Sequence, residues 1–155
     1  NICYFKKLID KVHLDMVEGQ YLDLNFVHIL FDKSIIFKIN KLKTVPLFKL
    51  SFILPYIILY GNKLLDKEII KSLEICGDYF GIIYQMSDDY IDKLQDYNKK
   101  QFYLNYFLNL GDEEGKKQYE FYKTKFIEEL IKLDIYDLNF KGILDLLDKR
   151  IYESS

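Results

Sequence analysis

An all-α fold of long antiparallel helices is the architecture these 155 residues predict, and three observations carry it. Apolar side chains recur at helical spacing in segments too long for strands. No Asn-Gly or Asp-Gly pair offers a tight hairpin turn. The seven glycines are thinly spread and sit mostly at segment ends.

Taken in order, residues 3–18 have the apolar spacing of a helix, with Gly19 near its end. Residues 24–33 read as a connection or a short helix. Residues 34–60 are strongly apolar and contain Pro46 and Pro55, either of which can kink a helix. Ile35-Ile36-Phe37 favours strand by propensity alone, but the length of the segment favours helix. Residues 66–94 form the next long helix. A shorter one is expected at 99–109, then Gly111 and Asp112 offer a break and a cap. Residues 113–133 and 140–152 close the chain as amphipathic helices. No internal repeat, low-complexity tail or Pro/Gly-rich linker divides it, so residues 1–155 read as one domain.

Half the residues are hydrophobic and 30% are charged, the balance of a globular protein. The net charge of −2 gives no basic field for nucleic acid or an anionic membrane. The stretch VPLFKLSFILPYIILY at 45–60 is short for a membrane span, carries Lys49 and holds both prolines. A core helix apolar all round is the expectation there, and no transmembrane segment. Cys3 and Cys76 are too few and too far apart for a disulfide framework or a metal cluster. Reduced, buried thiols in a cytoplasmic protein are expected. His13 and His28 pair with no cysteine or glutamate at ligand spacing. The chain opens at Asn1 without methionine and without a signal-peptide pattern, which fits a fragment, a processed product or an incomplete chain.

Residues 81–92, GIIYQMSDDYID, are the most informative. Asp88 and Asp92 are four apart and Asp89 and Asp92 three apart, so a helix gathers the three carboxylates on one side. Like charges at that spacing repel, and helix stability alone does not select them. A hard divalent cation reverses the sign of the interaction. Mg²⁺ is commonly held by one or two carboxylates plus phosphate oxygens. The plain alternative is a solvated acidic end of an amphipathic helix.

The pattern G-x-x-x-Q-x-x-D-D-x-x-D resembles the second aspartate-rich motif of the trans-isoprenyl diphosphate synthases, the family of farnesyl and geranylgeranyl diphosphate synthases. Gly81, Gln85, Asp88, Asp89 and Asp92 fall on its fixed positions. Tyr84 stands where that family usually has Phe. Two further matches occur in the right order. GQYLD at 19–23 resembles the Gly-Gln-x-x-Asp segment, and KLKT at 41–44 resembles the Lys-Thr element. Asn98-Lys99 is similar to a later Asn-Lys. The resemblance spans about residues 5–152 and describes the C-terminal half of such an enzyme, with the isoprenoid synthase fold.

That resemblance implies condensation of an allylic diphosphate with isopentenyl diphosphate. The allylic C–O bond ionises, the isopentenyl double bond attacks the cation, and a proton is lost. It implies Mg²⁺ to stabilise the leaving diphosphate, and an apolar cavity to keep water from the cation. Asp88 becomes the candidate direct Mg²⁺ ligand, with Asp89 and Asp92 acting through water or in support. Lys43 and Lys99 would contact diphosphate, and Thr44 and Gln85 would set oxygen dipoles beside the cation. Gln20 is a weaker candidate that only holds a helix end. Homodimers are usual in the family.

Three departures separate the chain from that pattern. These residues hold no upstream D-D-x-x-D followed by an arginine pair, so they supply at most half of the metal site. Only Lys93-Leu94-Gln95 separates Asp92 from Asp96, where farnesyl synthases usually carry a lysine-bearing loop. The end, Tyr152-Glu153-Ser154-Ser155, is acidic and polar, where eukaryotic farnesyl enzymes often end in a basic tail. Pro46 directly after the Lys-Thr is also unusual. Two readings follow: an active synthase whose N-terminal half lies outside this sequence, or a non-catalytic paralogue acting as a regulatory or scaffold subunit. A class I terpene cyclase shares the fold but does not need the Gln-x-x-Asp-Asp pattern intact.

Overall fold

The computed structural model describes residues 2–25, 33–61, 65–98 and 104–153. Among them are seven α-helices and no strand. They are α1 (Ile2–Asn25), α2 (Lys33–Lys43), α3 (Val45–Tyr60), α4 (Lys67–Asn98), α5 (Tyr106–Leu110), α6 (Asp112–Lys132) and α7 (Leu138–Tyr152). The all-α expectation is met. Ile35-Ile36-Phe37 is helical within α2.

Two expected boundaries move. The first helix does not stop at Gly19 but runs on to Asn25. Gly19 is there for contact: a Cβ on it would lie 2.7 Å from the carbonyl carbon of Leu42. The apolar run 34–60 is not one kinked helix. It divides at Thr44 into α2 and α3, which meet at 42°. Pro46 causes the division, because it has no N–H to give to the carbonyl four residues earlier. Pro55 sits inside α3, which is continuous through it.

α4 is the axis of the structure, and α3, α5, α6 and α7 pack on it, while α1 packs on α2 and α3. The main core joins Cys76, Phe80, Ile83 and Met86 of α4 to Tyr119, Phe126 and Leu130 of α6 and Leu144, Leu147 and Ile151 of α7. Phe52 brings α3 into it, packing on Phe80, Phe126 and Phe140 with ring centroids about 6 Å apart.

The α3–α4 seam is closed by two glycines one turn apart. A Cβ at Gly77 would strike the backbone of Lys49, at 2.6 Å from its nitrogen. A Cβ at Gly81 would stand 2.9 Å from Val45 Cγ2. Gly81, a fixed position of the aspartate motif, is therefore where the backbones of α3 and α4 come close. Gly111 breaks the chain between α5 and α6 with φ +82°. Asp112, expected as a cap, is instead the first residue of α6.

α3 is apolar all round yet buried only on part of its surface, with Ile58 and Leu59 exposed. No single described helix is long and apolar enough to cross a membrane. Only the bent α2–α3 pair reaches that length and composition. Cys76 is buried, but Cys3, expected to be buried, lies on the exposed side of α1. His13 is exposed and His28 lies outside the described residues.

Candidate active site

Four separate sequence segments meet in one polar cavity of about 190 Å³. Its lining comes from Asp23 of α1, Asn40 and Lys43 of α2, Leu104, and Gln85, Asp88, Asp89, Asp92 and Asp96 of α4. The close approach at Gly19 brings α1 onto α2, and that at Gly81 brings the start of α3, next to Thr44, onto α4.

Thr44 links α3 to α4. It is the N-cap residue of α3, yet its hydroxyl makes no cap bond. Pro46 at the second helical position has no N–H to donate to it. The hydroxyl donates instead to Gln85 Oε1 at 2.9 Å. Gln85 Nε2 then donates to Asp89 Oδ1 at 2.7 Å. The partly buried glutamine is satisfied at both ends, which fixes its amide orientation. The Thr44 oxygen keeps its lone pairs for an acceptor role.

The neighbouring aspartates have different environments. Asp89 is 6% exposed. Its second oxygen accepts from the Tyr106 backbone N–H at 2.8 Å, so Asp89 ties α4 to the start of α5. Burial pushes its carboxyl up to about 7, against the two hydrogen bonds that favour the charged form. Asp88 has a side chain about half exposed, with Arg150 Nη1 4.0 Å from its Oδ1. Partial burial raises its pKa, as does the nearby charge of Asp92, while Arg150 and Lys43 act in the opposite sense. Asp92 lines the same cavity one turn on.

Lys43 Nζ is 2.8 Å from Asp23 Oδ2, so the aspartate of GQYLD holds the lysine of KLKT at the cavity. Gln20 is exposed on α1, which runs five residues past it, so it does not hold the helix end. Lys99 lies outside the described residues.

Two residues at this site were not read from the sequence. Asn105, 1% exposed, donates to the Asp89 carbonyl at 2.6 Å and to Asp96 Oδ2 at 2.9 Å. Its own carbonyl caps α5 through Phe107 and Leu108. An asparagine before an apolar run is a cap signal, and that much was available. Arg150 carried no such signal, because its approach to Asp88 is set by the packing of α7.

A second, apolar cavity of about 880 Å³ lies along α3, α4 and α7. Phe48, Phe52, Pro55 and Leu59 line it from α3, Leu73 and Phe80 from α4, and Phe140 and Ile143 from α7. It shares no lining residue with the polar cavity.

The donor set can be compared with what Mg²⁺ requires. Among the described residues no three acidic, histidine or cysteine side chains are gathered into a cage. Asp89 has both oxygens engaged. Asp88 and Asp92 open on the cavity. This fits an ion bound by one or two carboxylates and completed by phosphate oxygens and water, the habit of Mg²⁺ rather than of a structural ion.

Fold and site together define an all-helical protein with a carboxylate-lined cavity where α1, α2 and α4 meet. The sequence model of the family described as polyprenyl synthetase matches residues 4–102, which are 99 of the 155 residues, and the chain belongs to that family. No curated protein and no solved structure matches the chain.

Proposed function

We propose that the protein is a prenyltransferase that condenses an allylic diphosphate with isopentenyl diphosphate, acting as a farnesyl diphosphate synthase-like enzyme with Mg²⁺. One observation carries the reading. Asp23, Lys43, Gln85 and Asp88 line a single cavity, although 20 residues separate Asp23 from Lys43 and 41 separate Thr44 from Gln85. A solvated acidic helix end does not call for a lysine, a threonine hydroxyl and a glutamine amide converging on it.

In this reading Asp88 binds Mg²⁺, with Asp92 beside it, and Asp89 supports them from behind by fixing Gln85. Mg²⁺ supplies charge stabilisation of the departing diphosphate. Lys43 adds a point charge to that anion, with Asp23 aiming it. The Thr44 and Gln85 oxygens, held by their mutual hydrogen bond, present fixed dipoles to the allylic cation. Lys99 is kept as a second diphosphate contact. The remaining half of the metal site, the second carboxylate cluster, is assigned to a part of the protein outside this sequence. A homodimer in the cytoplasm completes the proposal, and the exposed apolar row Leu14, Val17, Tyr21 and Leu24 on α1 offers a surface for pairing.

One observation favours the second reading, a non-catalytic paralogue. α4 runs unbroken through 93–98, where farnesyl synthases carry a lysine-bearing loop. The deciding experiment incubates full-length protein with Mg²⁺ and both diphosphates. Product formation supports the enzyme. No product, with capture of an active synthase, supports the paralogue.

A further inference from the structure

Beyond the segment that the family matches, α7 brings a cation to the polar cavity. Leu147 and Ile151 are buried against the core and fix the last turns of α7 beside α4. Arg150, between them, is thereby held with Nη1 4.0 Å from Asp88 Oδ1. That is an ion pair without a short hydrogen bond. The other cations nearby are committed. Lys43 closes on Asp23 at 2.8 Å. Lys93 makes two hydrogen bonds to Asp112, at 2.7 and 2.8 Å. Among the described residues, Arg150 is the cation beside these carboxylates whose donors are not taken.

We propose that Arg150 is a substrate-binding residue, whose guanidinium takes the diphosphate at the mouth of the cavity. The proposal rests on the prenyl-transfer reading above. Charge makes the case. Among the described residues the cavity is lined by Asp23, Asp88, Asp89, Asp92 and Asp96 against the single cation Lys43. A diphosphate entering it meets like charge unless positive groups offset the carboxylates. An Mg²⁺ held by Asp88 would offset part of this charge, and Arg150 already faces that carboxylate. The guanidinium is always charged, and its planar fork matches two phosphate oxygens at once. Leaving Asp88 costs little, because a half-exposed ion pair at this distance is weak. The backbone need not move, since only the long side chain turns.

The test is calorimetric binding of inorganic diphosphate to the full-length protein in excess Mg²⁺. The wild type is compared with Arg150→Gln, Arg150→Lys and Asp88→Asn, each checked for an unchanged helical circular dichroism spectrum. Losing charge-assisted hydrogen bonds at a partly exposed site predicts about tenfold weaker binding for Arg150→Gln. Arg150→Lys keeps the charge but not the fork and falls between. In turnover, KM for a diphosphate substrate rises while kcat changes little, the signature of lost uniform binding. Wild-type affinity in Arg150→Gln, with binding lost in Asp88→Asn, overturns the role of Arg150 and leaves the metal–diphosphate reading standing. Absence of diphosphate binding by the wild type overturns both.

Discussion

The polar and apolar cavities share α4 and nothing else, and they differ in how their walls came to be. Phe80 and Gln85 are five residues apart, which is roughly 140° around a helix. The helix therefore shows Ile69, Leu73 and Phe80 to one cavity and Gln85, Asp89 and Asp92 to the other. The smaller cavity is made of residues that are costly where they stand: clustered carboxylates and a partly buried amide, which a threonine drawn from its cap holds in place. The larger is made of phenylalanines, leucines and isoleucines that any core helix carries. Costly residues at fixed spacing identify a chemical site, whereas ordinary core residues form a cavity only through what packs against them.

The strongest test of that contrast is Asp88→Ala in the full-length protein. Removing a carboxylate that faces the cavity takes away part of the charge stabilisation on the leaving group. A loss of about a hundred- to a thousandfold in Mg²⁺-dependent prenyl transfer is expected, comparable to removing one transition-state charge contact. The fold should be unaffected, because Asp88 is half exposed. Activity within a few-fold of wild type would return the aspartates to the status of a wet helix face.

Gly77→Ala attacks the scaffold that both cavities use. The added Cβ meets the backbone of Lys49, which cannot turn away as a side chain can. The gain in helix propensity is at most about 1 kcal/mol. Overpacking against a backbone costs about 1–3 kcal/mol, so a net loss of about 1 kcal/mol in urea unfolding is predicted. Gly81→Ala, which meets the side chain and Cα of Val45, should cost less. If either variant is neutral, the two helices are not locked at this seam.

These two glycines also show what the sequence could and could not tell. Gly81 was legible as a motif position, but its cause, the approach of Val45, is tertiary. Gly19 read as a helix end because glycine in a helix is normally a breaker. α1 continues through it because α2 needs the space. The helical segments 66–94, 113–133 and 140–152 were legible because one amphipathic period persists across each. The division at Thr44 was not, since both flanks are uniformly apolar and Pro46 fits a first turn as well as a kink. Asp88, Gln85, Thr44 and Lys43 were legible as candidates through the family resemblance. Arg150 and Asn105 were missed because their partners lie on other helices.

Asp89 and Asp88, adjacent in sequence, give a pH test of the difference between buried support and open ligand. The native state raises the Asp89 carboxyl from 3.8 to about 7. The native state therefore binds this proton more tightly than the unfolded chain. The stability it contributes is full below about 3.8 and is lost as pH rises towards 7, by at most about 1.4 kcal/mol per unit. Urea midpoints of wild type should fall across pH 5 to 7 relative to those of Asp89→Asn. The asparagine does not titrate, and a turned Gln85 amide can still bond it. Parallel curves would mean that Asp89 ionises in the folded protein as freely as in the unfolded one.

The smallest effect is expected from filling the apolar cavity, with Ser51→Leu. Ser51 is exposed at the cavity edge and spends its hydroxyl on the Leu47 carbonyl, one turn back, at 2.9 Å. Such back-bonding adds little to a helix, and leucine has the better helix propensity. The new side chain enters a space of about 880 Å³ without displacing a neighbour. Stability should change by less than about 0.5 kcal/mol, as for a surface substitution. Diphosphate affinity should be unchanged, because no residue lines both cavities and Phe80 and Gln85 face apart. The informative measurement is turnover with a longer allylic substrate. If KM for it rises while inorganic diphosphate binds as before, the apolar cavity holds hydrocarbon and the two sides of α4 serve one substrate. If neither changes, water exclusion at the polar site comes from elsewhere, and α4 separates two cavities with unrelated work.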